Sequence, residues 1–311
     1  MLISICIPCY RSSKTLDFVV DEIQQTFAKQ DKYDYQLVLV NDGSPDNTFE
    51  VISKICEKDP KIIGVDLSRN YGKQSAKIAA LNYVDGDVIV YMDDDGQHPA
   101  SGIIPLAEKV LEGYDIVYAK FPKKKHSLFK RATSKLYQKI SESIGNKPKG
   151  ISVSAFAAWS KVVAKTVLKY HSPFPAPGIY LSHVTSKIAN IDMEHRKRYA
   201  GETTFTFFKL MGLAITALTN FSIIPLRLAS YAGIICSVFG FLFGLFIIVR
   251  KLIHPHIFAG YSSMIATILF IGGLIMLMLG MIGEYVGRIY MTVSDMPQYN
   301  VRTALNTKVD I

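Results

Sequence analysis

The chain has little of what redox, dinucleotide or nucleic-acid chemistry would require. Its 311 residues include four cysteines and one tryptophan, Trp159. Cys6 and Cys9 have C-x-x-C spacing, but zinc needs a second close pair of Cys or His ligands, and a thioredoxin-like pair opens a helix. Here the pair closes an apolar run and enters a loop, so reduced cysteines are expected. Neither G-x-G-x-x-G nor G-x-x-x-x-G-K-[ST] occurs, which argues against a dinucleotide cofactor and a P-loop. No nucleic-acid motif, internal repeat or low-complexity tract is present. Met1 to Ile7 shows no basic n-region and no small-residue cleavage site, so the N-terminal domain is expected to stay in the cytoplasm.

What is abundant is apolar sequence, at 49% of residues, on a chain of net charge +9. Leu228 to Val249 contains no charge and is bounded by Arg227 and by Arg250-Lys251. At 1.5 Å per helical residue, a run of about 20 apolar residues matches the roughly 30 Å core of a bilayer. A second uncharged run, Leu252 to Gly283, has His254-Pro255-His256 at its polar entry and Met264 to Ile282 as its membrane portion. The two predict a hairpin with both ends in the cytoplasm. Lys209, Arg227, Arg288, Arg302 and Lys308 flank the cytoplasmic ends, while Arg250 and Lys251 on the outer loop count against that orientation. Residues 205–227, aromatic with Lys209 and Arg227, predict amphipathic interfacial helices. Gly240-x-x-x-Gly244 and Gly283-x-x-x-Gly287 suit helix association and hence a homo-oligomer. The positive charge suits an anionic leaflet, and membrane lipids rather than nucleic acid are the expected partners.

The first half alternates short β-rich blocks with helical patterns. Strands are expected at Ile3 to Ile7, Gln36 to Val40, Ile62 to Asp66, Val88 to Met92 and Ile116 to Tyr118. Helices are expected near Leu16 to Lys29, Thr48 to Glu57, Gln74 to Tyr83 and Ile103 to Leu111. This βαβα order predicts an α/β fold, a mostly parallel sheet with helices on both faces. The domains read as 1–204 catalytic, 205–227 interfacial, 228–285 membrane hairpin and 286–311 cytosolic tail.

Three loops follow strands that would end on one sheet edge: Pro8-Cys9-Tyr10-Arg11, Asn41 to Thr48, and Asp93-Asp94-Asp95. Three adjacent carboxylates repel one another and are tolerated where a cation or a set of donors neutralises them. Oxygen ligands suit Mg2+ or Mn2+, held by one or two carboxylates plus substrate phosphates. The bland alternative is a solvated acidic turn. Within a shared crevice, Asp42 could accept from a base or ribose, Tyr10 could stack, and Asp93 and Asp95 could organise the metal, with Asp94 turned away.

The residues then resemble a known family. Ile7 to Tyr10, Val40 to Thr48, Ser68 to Lys73, Met92 to Pro99, Arg198 to Thr203, Pro225-Leu226-Arg227 and Gly283 to Tyr290 occur in an order similar to membrane-bound GT-A family 2 glycosyltransferases that act on polyprenyl phosphates. The resemblance runs nearly end to end. It implies a GT-A, Rossmann-like sheet and a nucleotide site at Pro8, Tyr10, Asp42, Lys73 and Asp93. It also implies a D-x-D pair, Asp93 and Asp95, with Gln97 beside Asp95 at the metal. Arg131 and Ser134 would meet the acceptor phosphate, and Arg198 would close over the phosphates. The implied reaction moves one sugar from a nucleotide donor, UDP-linked, to a polyprenyl phosphate at the cytoplasmic face of the inner membrane, with inversion. Transfer to a saccharide hydroxyl, or a silent membrane scaffold, are the competing readings. Two departures bear on the acceptor: the family's Asp-Phe-Arg is replaced by Ala155-Phe156-Ala157, and its Ser-Lys by Thr203-Thr204.

Overall fold

The structure is a computed structural model that describes residues 1–121, 150–170, 172, 173, 175, 177, 181, 184–194, 196, 224–253, 260–294 and 296–307. Arg131, Ser134 and Arg198, Thr203-Thr204 and most of the expected interfacial segment lie outside these residues.

Eight strands form one sheet: β1 (Leu2–Cys9), β2 (Asp34–Asn41), β3 (Ile62–Leu67), β4 (Val88–Tyr91), β5 (Ile116–Lys120), β6 (Ala157–Ser160), β7 (Ile188–Asp192) and β8 (Val301–Leu305). Their order is β7-β5-β6-β4-β1-β2-β3-β8. β1 to β4 are mutually parallel, whereas β6 runs antiparallel between β4 and β5, and β8 runs antiparallel along β3. The five expected strands form, each within three residues of its reading. β6, β7 and β8 are additions.

The central strands have helices on both faces, which is why they read as nearly unbroken apolar blocks. On one face Ile3, Ile5, Ile7, Leu37 and Leu39 pack against α1 (Leu16–Ala28), α2 (Thr48–Lys58) and α4 (Ile103–Leu111). α1 buries Leu16, Val19, Val20, Ile23 and Phe27, a helical stripe. On the other face Cys6, Val38, Val40, Tyr91 and Trp159 pack against α3 (Lys73–Leu81) and α5 (Lys161–Val167). Full burial of each such aliphatic side chain is worth about 1.5–3 kcal/mol. Cys6 and Cys9 fall on opposite faces of β1, both buried and free, so the C-x-x-C spacing brings no pair together.

The order β3-β2-β1-β4 reverses between β1 and β4. In open α/β sheets that reversal opens a crevice beyond the carboxyl ends of the strands. The loops after β1 and β4 therefore face each other there.

The chain divides into two units, Met1–Thr204 with Asp295–Ile311, and Phe205–Ser294. The second unit contains α6 (Ile224–Ile253) and α7 (Tyr261–Val293). Ala229–Ile247 and Phe270–Val293 are long and apolar enough to cross a membrane. Their surfaces are apolar, with Phe239 and Phe241 each 73% exposed. α7 continues without a break through Glu284 and Arg288, which form an i,i+4 ion pair.

Candidate active site

The β1 loop turns sharply. Arg11 adopts a left-handed φ of +58°, and its backbone N–H donates to Ser44 Oγ at 3.1 Å. Ser12 N donates to Thr48 Oγ1 at 2.9 Å, and Ser13 Oγ to Asp46 Oδ2 at 2.9 Å. These bonds fasten the β1 loop to the β2 loop. They leave Tyr10 at 44% exposure with the Arg11 guanidinium 5.5 Å from its ring centroid.

Asp42, just past β2, is buried, and its Oδ1 accepts from Tyr71 N at 2.8 Å. Burial raises its pKa, against the Tyr71 and Gly72 N–H groups. Gly43 has a φ of +58°, and a Cβ there would lie 2.3 Å from the Arg69 carbonyl carbon. Only glycine fits this close crossing of the β2 and β3 loops. Gly72, at φ +90°, then opens α3, and Lys73 is the first residue of that helix.

Lys73 Nζ lies 2.6 Å from Asp93 Oδ1, an ion pair. Burial acts to raise the Asp93 carboxyl. The Lys73 ammonium, with His98 and Lys77 behind it, outweighs burial and holds it below the usual carboxylate range. Asp93 N donates to His98 Nδ1 at 3.0 Å, so a neutral His98 carries its proton on Nε2. The His98 ring is buried and stacked on Phe156, with centroids 5.0 Å apart.

Asp95 Oδ1 accepts from Gln97 N at 3.1 Å around Gly96, whose φ is +71°. Gln97 Nε2 reaches Arg196 O at 3.4 Å, and Arg196 pairs with Glu22 on α1 at 2.5 Å.

Asp94 corrects the sequence reading. It is turned toward β1, where Oδ2 accepts from Tyr10 N at 3.3 Å and from Ser12 Oγ. Burial raises its pKa, Asp93 adds to the rise, and Ser12 opposes it. The middle carboxylate thus ties the β4 loop to the β1 loop across the crevice.

Pro8, Cys9, Tyr10, Asp42, Asn70, Gly72, Lys73 and Asp94 line a cavity of about 210 Å3. Four expected nucleotide residues are therefore together, and Asp93 adjoins them through Lys73. Sequence reasoning missed Asn70, Asp94, His98 and Lys77. The signal available for Lys77 was a lysine among apolar residues on the inner face of α3. Among the described residues no group of three or more His, Cys, Asp or Glu could hold a metal unaided. The carboxylates of Asp93 and Asp95 are oxygen ligands of the kind a hard divalent ion takes beside phosphate oxygens.

Comparison with known proteins agrees with this geometry. Residues 4–170 match the family Glycosyl transferase family 2, and residues 224–289 match the GtrB C-terminal hairpin. The chain is 33% identical to an uncharacterized glycosyltransferase of Bacillus subtilis (strain 168), over 96% of this chain and 93% of that one. It is 31% identical to a prophage bactoprenol glucosyl transferase homolog of Escherichia coli (strain K12), over 97% and 99%. It is also 31% identical to an undecaprenyl-phosphate 4-deoxy-4-formamido-L-arabinose transferase of Photorhabdus laumondii, over 96% and 93%. Among solved structures, glucosyl-3-phosphoglycerate synthase from Mycobacterium tuberculosis in complex with Mn2+, UDP-glucose and phosphoglyceric acid shares the fold. That likeness has a TM-score of 0.50 and 19% identity, over 71% of this chain and 78% of that one. With its D-x-D loop at the sheet's reversal point and an apolar helix pair beyond the catalytic unit, the chain belongs to glycosyl transferase family 2 and is a glycosyltransferase with a GtrB-type hairpin.

Proposed function

We propose that the protein transfers one sugar from a nucleotide donor, UDP-linked, to a polyprenyl phosphate, with inversion at the anomeric carbon, on the cytoplasmic face of the inner membrane. The observation that carries this reading is the cavity at the β1/β4 reversal, lined by Lys73, whose ammonium pairs with Asp93, in a chain that also carries two membrane-length helices. Relatives named for bactoprenol and undecaprenyl-phosphate support the acceptor class.

Chemistry supports the same choice. A phosphate monoester, with a second pKa near 6, is largely dianionic at pH 7 and attacks without a general base. The enzyme's work is then positional and electrostatic. Asp93 and Asp95, with Gln97 adjacent, would hold Mg2+ or Mn2+, which when bound would stabilise the departing diphosphate. Tyr10 and Asp42 would orient the nucleoside, and Lys73 would steady its phosphates. Arg131, Ser134 and Arg198 are proposed for the acceptor and donor phosphates. The first unit would lie in the cytoplasm, with the residues before α6 at the headgroups. Gly240, Gly244, Gly283 and Gly287 have open space where a Cβ would stand, which leaves room for a second copy.

The test is to incubate purified protein with Mg2+ or Mn2+, a panel of nucleotide sugars and undecaprenyl phosphate, and to look for a glycolipid by mass spectrometry. One donor should give a glycosyl-phospholipid. Glycosylation of saccharide acceptors alone would overturn the lipid-phosphate reading. Asp95→Ala should abolish turnover together with its metal dependence, and a near-normal rate would refute the metal assignment.

A further inference from the structure

Lys77, whose charge helps to hold the Asp93 carboxyl low, lies outside the residues that line the cavity. It is 8% exposed, on the face of α3 that packs on the sheet. No carboxylate among the described residues pairs with it. Its Nζ lies 5.1 Å from the centroid of the Tyr91 ring, a cation–π contact, and Tyr91 packs on Trp159 at 4.4 Å. The Tyr91 hydroxyl donates to the Lys77 backbone carbonyl at 3.1 Å, locking β4 to the helix.

The spacing explains how one helix serves two points of the loop. Lys73 and Lys77 are four residues apart, a rise of about 6 Å along a helix. Tyr91 and Asp93 are two residues apart, close to the roughly 6.6 Å advance of a strand. Lys73 therefore reaches Asp93 while Lys77 sits beneath Tyr91. Burial, reinforced by Lys73, lowers the Lys77 pKa to about 8, with Asp93 and Cys6 opposing, so the side chain is still mostly charged at neutral pH.

The two lysines differ in freedom. Lys73 is 46% exposed along its side chain, so its contact with Asp93 is screened and readily exchanged. Lys77 is enclosed and cannot leave. Two ammonium groups beside the acidic loop offset the charge that would draw in a bare divalent cation. A cation arriving on a nucleoside diphosphate brings its own anionic oxygens and offers Lys73 a phosphate to move to.

We propose that Lys77 is a specificity-determining residue: its fixed charge makes the acidic loop accept a divalent cation as its nucleoside-diphosphate complex and disfavour the bare ion. The inference rests on the metal–diphosphate reading of the site. To test it, Mn2+ is titrated into full-length protein in detergent by electron paramagnetic resonance, with and without UDP. Fluorescence of Trp159, the only tryptophan and a neighbour of Tyr91, follows the same titrations.

Lys77→Met should bind bare Mn2+ about tenfold more tightly than the native protein, as expected from losing a nearby like charge. The UDP-bound affinity should move less, and Lys77→Arg should match the native protein. If Lys77→Met does not fold, Lys77→Gln supplies the comparison. Affinity for bare Mn2+ within twofold of native in the uncharged variant would overturn the proposal. So would an equal gain in Lys77→Arg, which would assign the effect to packing. Native protein that binds no Mn2+ in either condition would refute the metal reading itself, and this inference with it.

Discussion

Asp94 and Asp95 are adjacent, yet the consequences of losing them should separate. Because Asp94 Oδ2 holds Tyr10 N and Ser12 Oγ, Asp94→Ala frees the β1 loop. It should lose about 0.5–1.5 kcal/mol of stability for each lost hydrogen bond, since the freed donors can reach water. It should also raise the donor KM while leaving metal dependence intact. Asp95→Ala should show the reverse, a native denaturant midpoint and no turnover. A third carboxylate, Asp59, gives a pH signature. It accepts from Tyr35 Oη at 2.5 Å, Gln24 Nε2 at 3.0 Å and Lys61 N at 2.9 Å. Burial acts to raise the Asp59 carboxyl, but these donors hold it below its ordinary value. A carboxylate depressed on folding stabilises above its unfolded pKa, near 3.9, and loses that contribution as pH falls through the folded value. Asp59→Asn should therefore lower the denaturant midpoint at pH 7, and the gap from native should narrow below about pH 4.

Among the elements, β8 decides most about the sheet edge. Asn306 follows it at φ +56°, a conformation Asn tolerates, and its Nδ2 donates to Cys56 O at 2.7 Å and Ile62 O at 2.9 Å. Arg302 donates to Ser68 O at 2.8 Å and faces Asp66 at 3.5 Å. Asn306→Ala should lower the unfolding free energy by about 1–3 kcal/mol, measured by denaturant, through both the lost bonds and the left-handed backbone. The sequence did not reveal this strand. Apolar blocks between Gly, Asn, Asp and Pro made β1 to β5 and α1 to α4 legible, because burial on both faces writes itself as an uninterrupted run. β6 is four residues, two of them alanine. β7 contains Ala189, Asn190 and Asp192 and is only half buried. β8 is five residues interrupted by the polar pair Arg302-Thr303, and its partner β3 lies far upstream. Candidate site residues could be read where a loop follows a readable strand, hence Tyr10, Asp42 and Asp93, whereas Lys73 came through the family resemblance. The Asp94 crossing and the Lys77 contact could not be read, because each is a meeting of segments distant in sequence.

At the scale of the molecule, the chain leaves the catalytic unit after Thr204, passes through two membrane-length helices, and returns to the same unit from Asp295. Two crossings would bring both connections to one face of a membrane. In a cysteine-free background, His256→Cys should react with an impermeant maleimide in right-side-out vesicles, and Met296→Cys only after permeabilisation. Equal labelling of the two would reject the cytoplasmic assignment.

The returning strand also sets a timetable for biogenesis. Gly64 on β3 pairs with Leu305, so the outer edge of β3 stays bare while everything between them is synthesised. At roughly 5–20 residues per second, that interval lasts from about ten seconds to nearly a minute. An unpaired strand edge is a template for association with other chains. The two apolar helices are therefore synthesised before the strand that completes the sheet, and the β3 edge stays open to misassociation until β8 emerges.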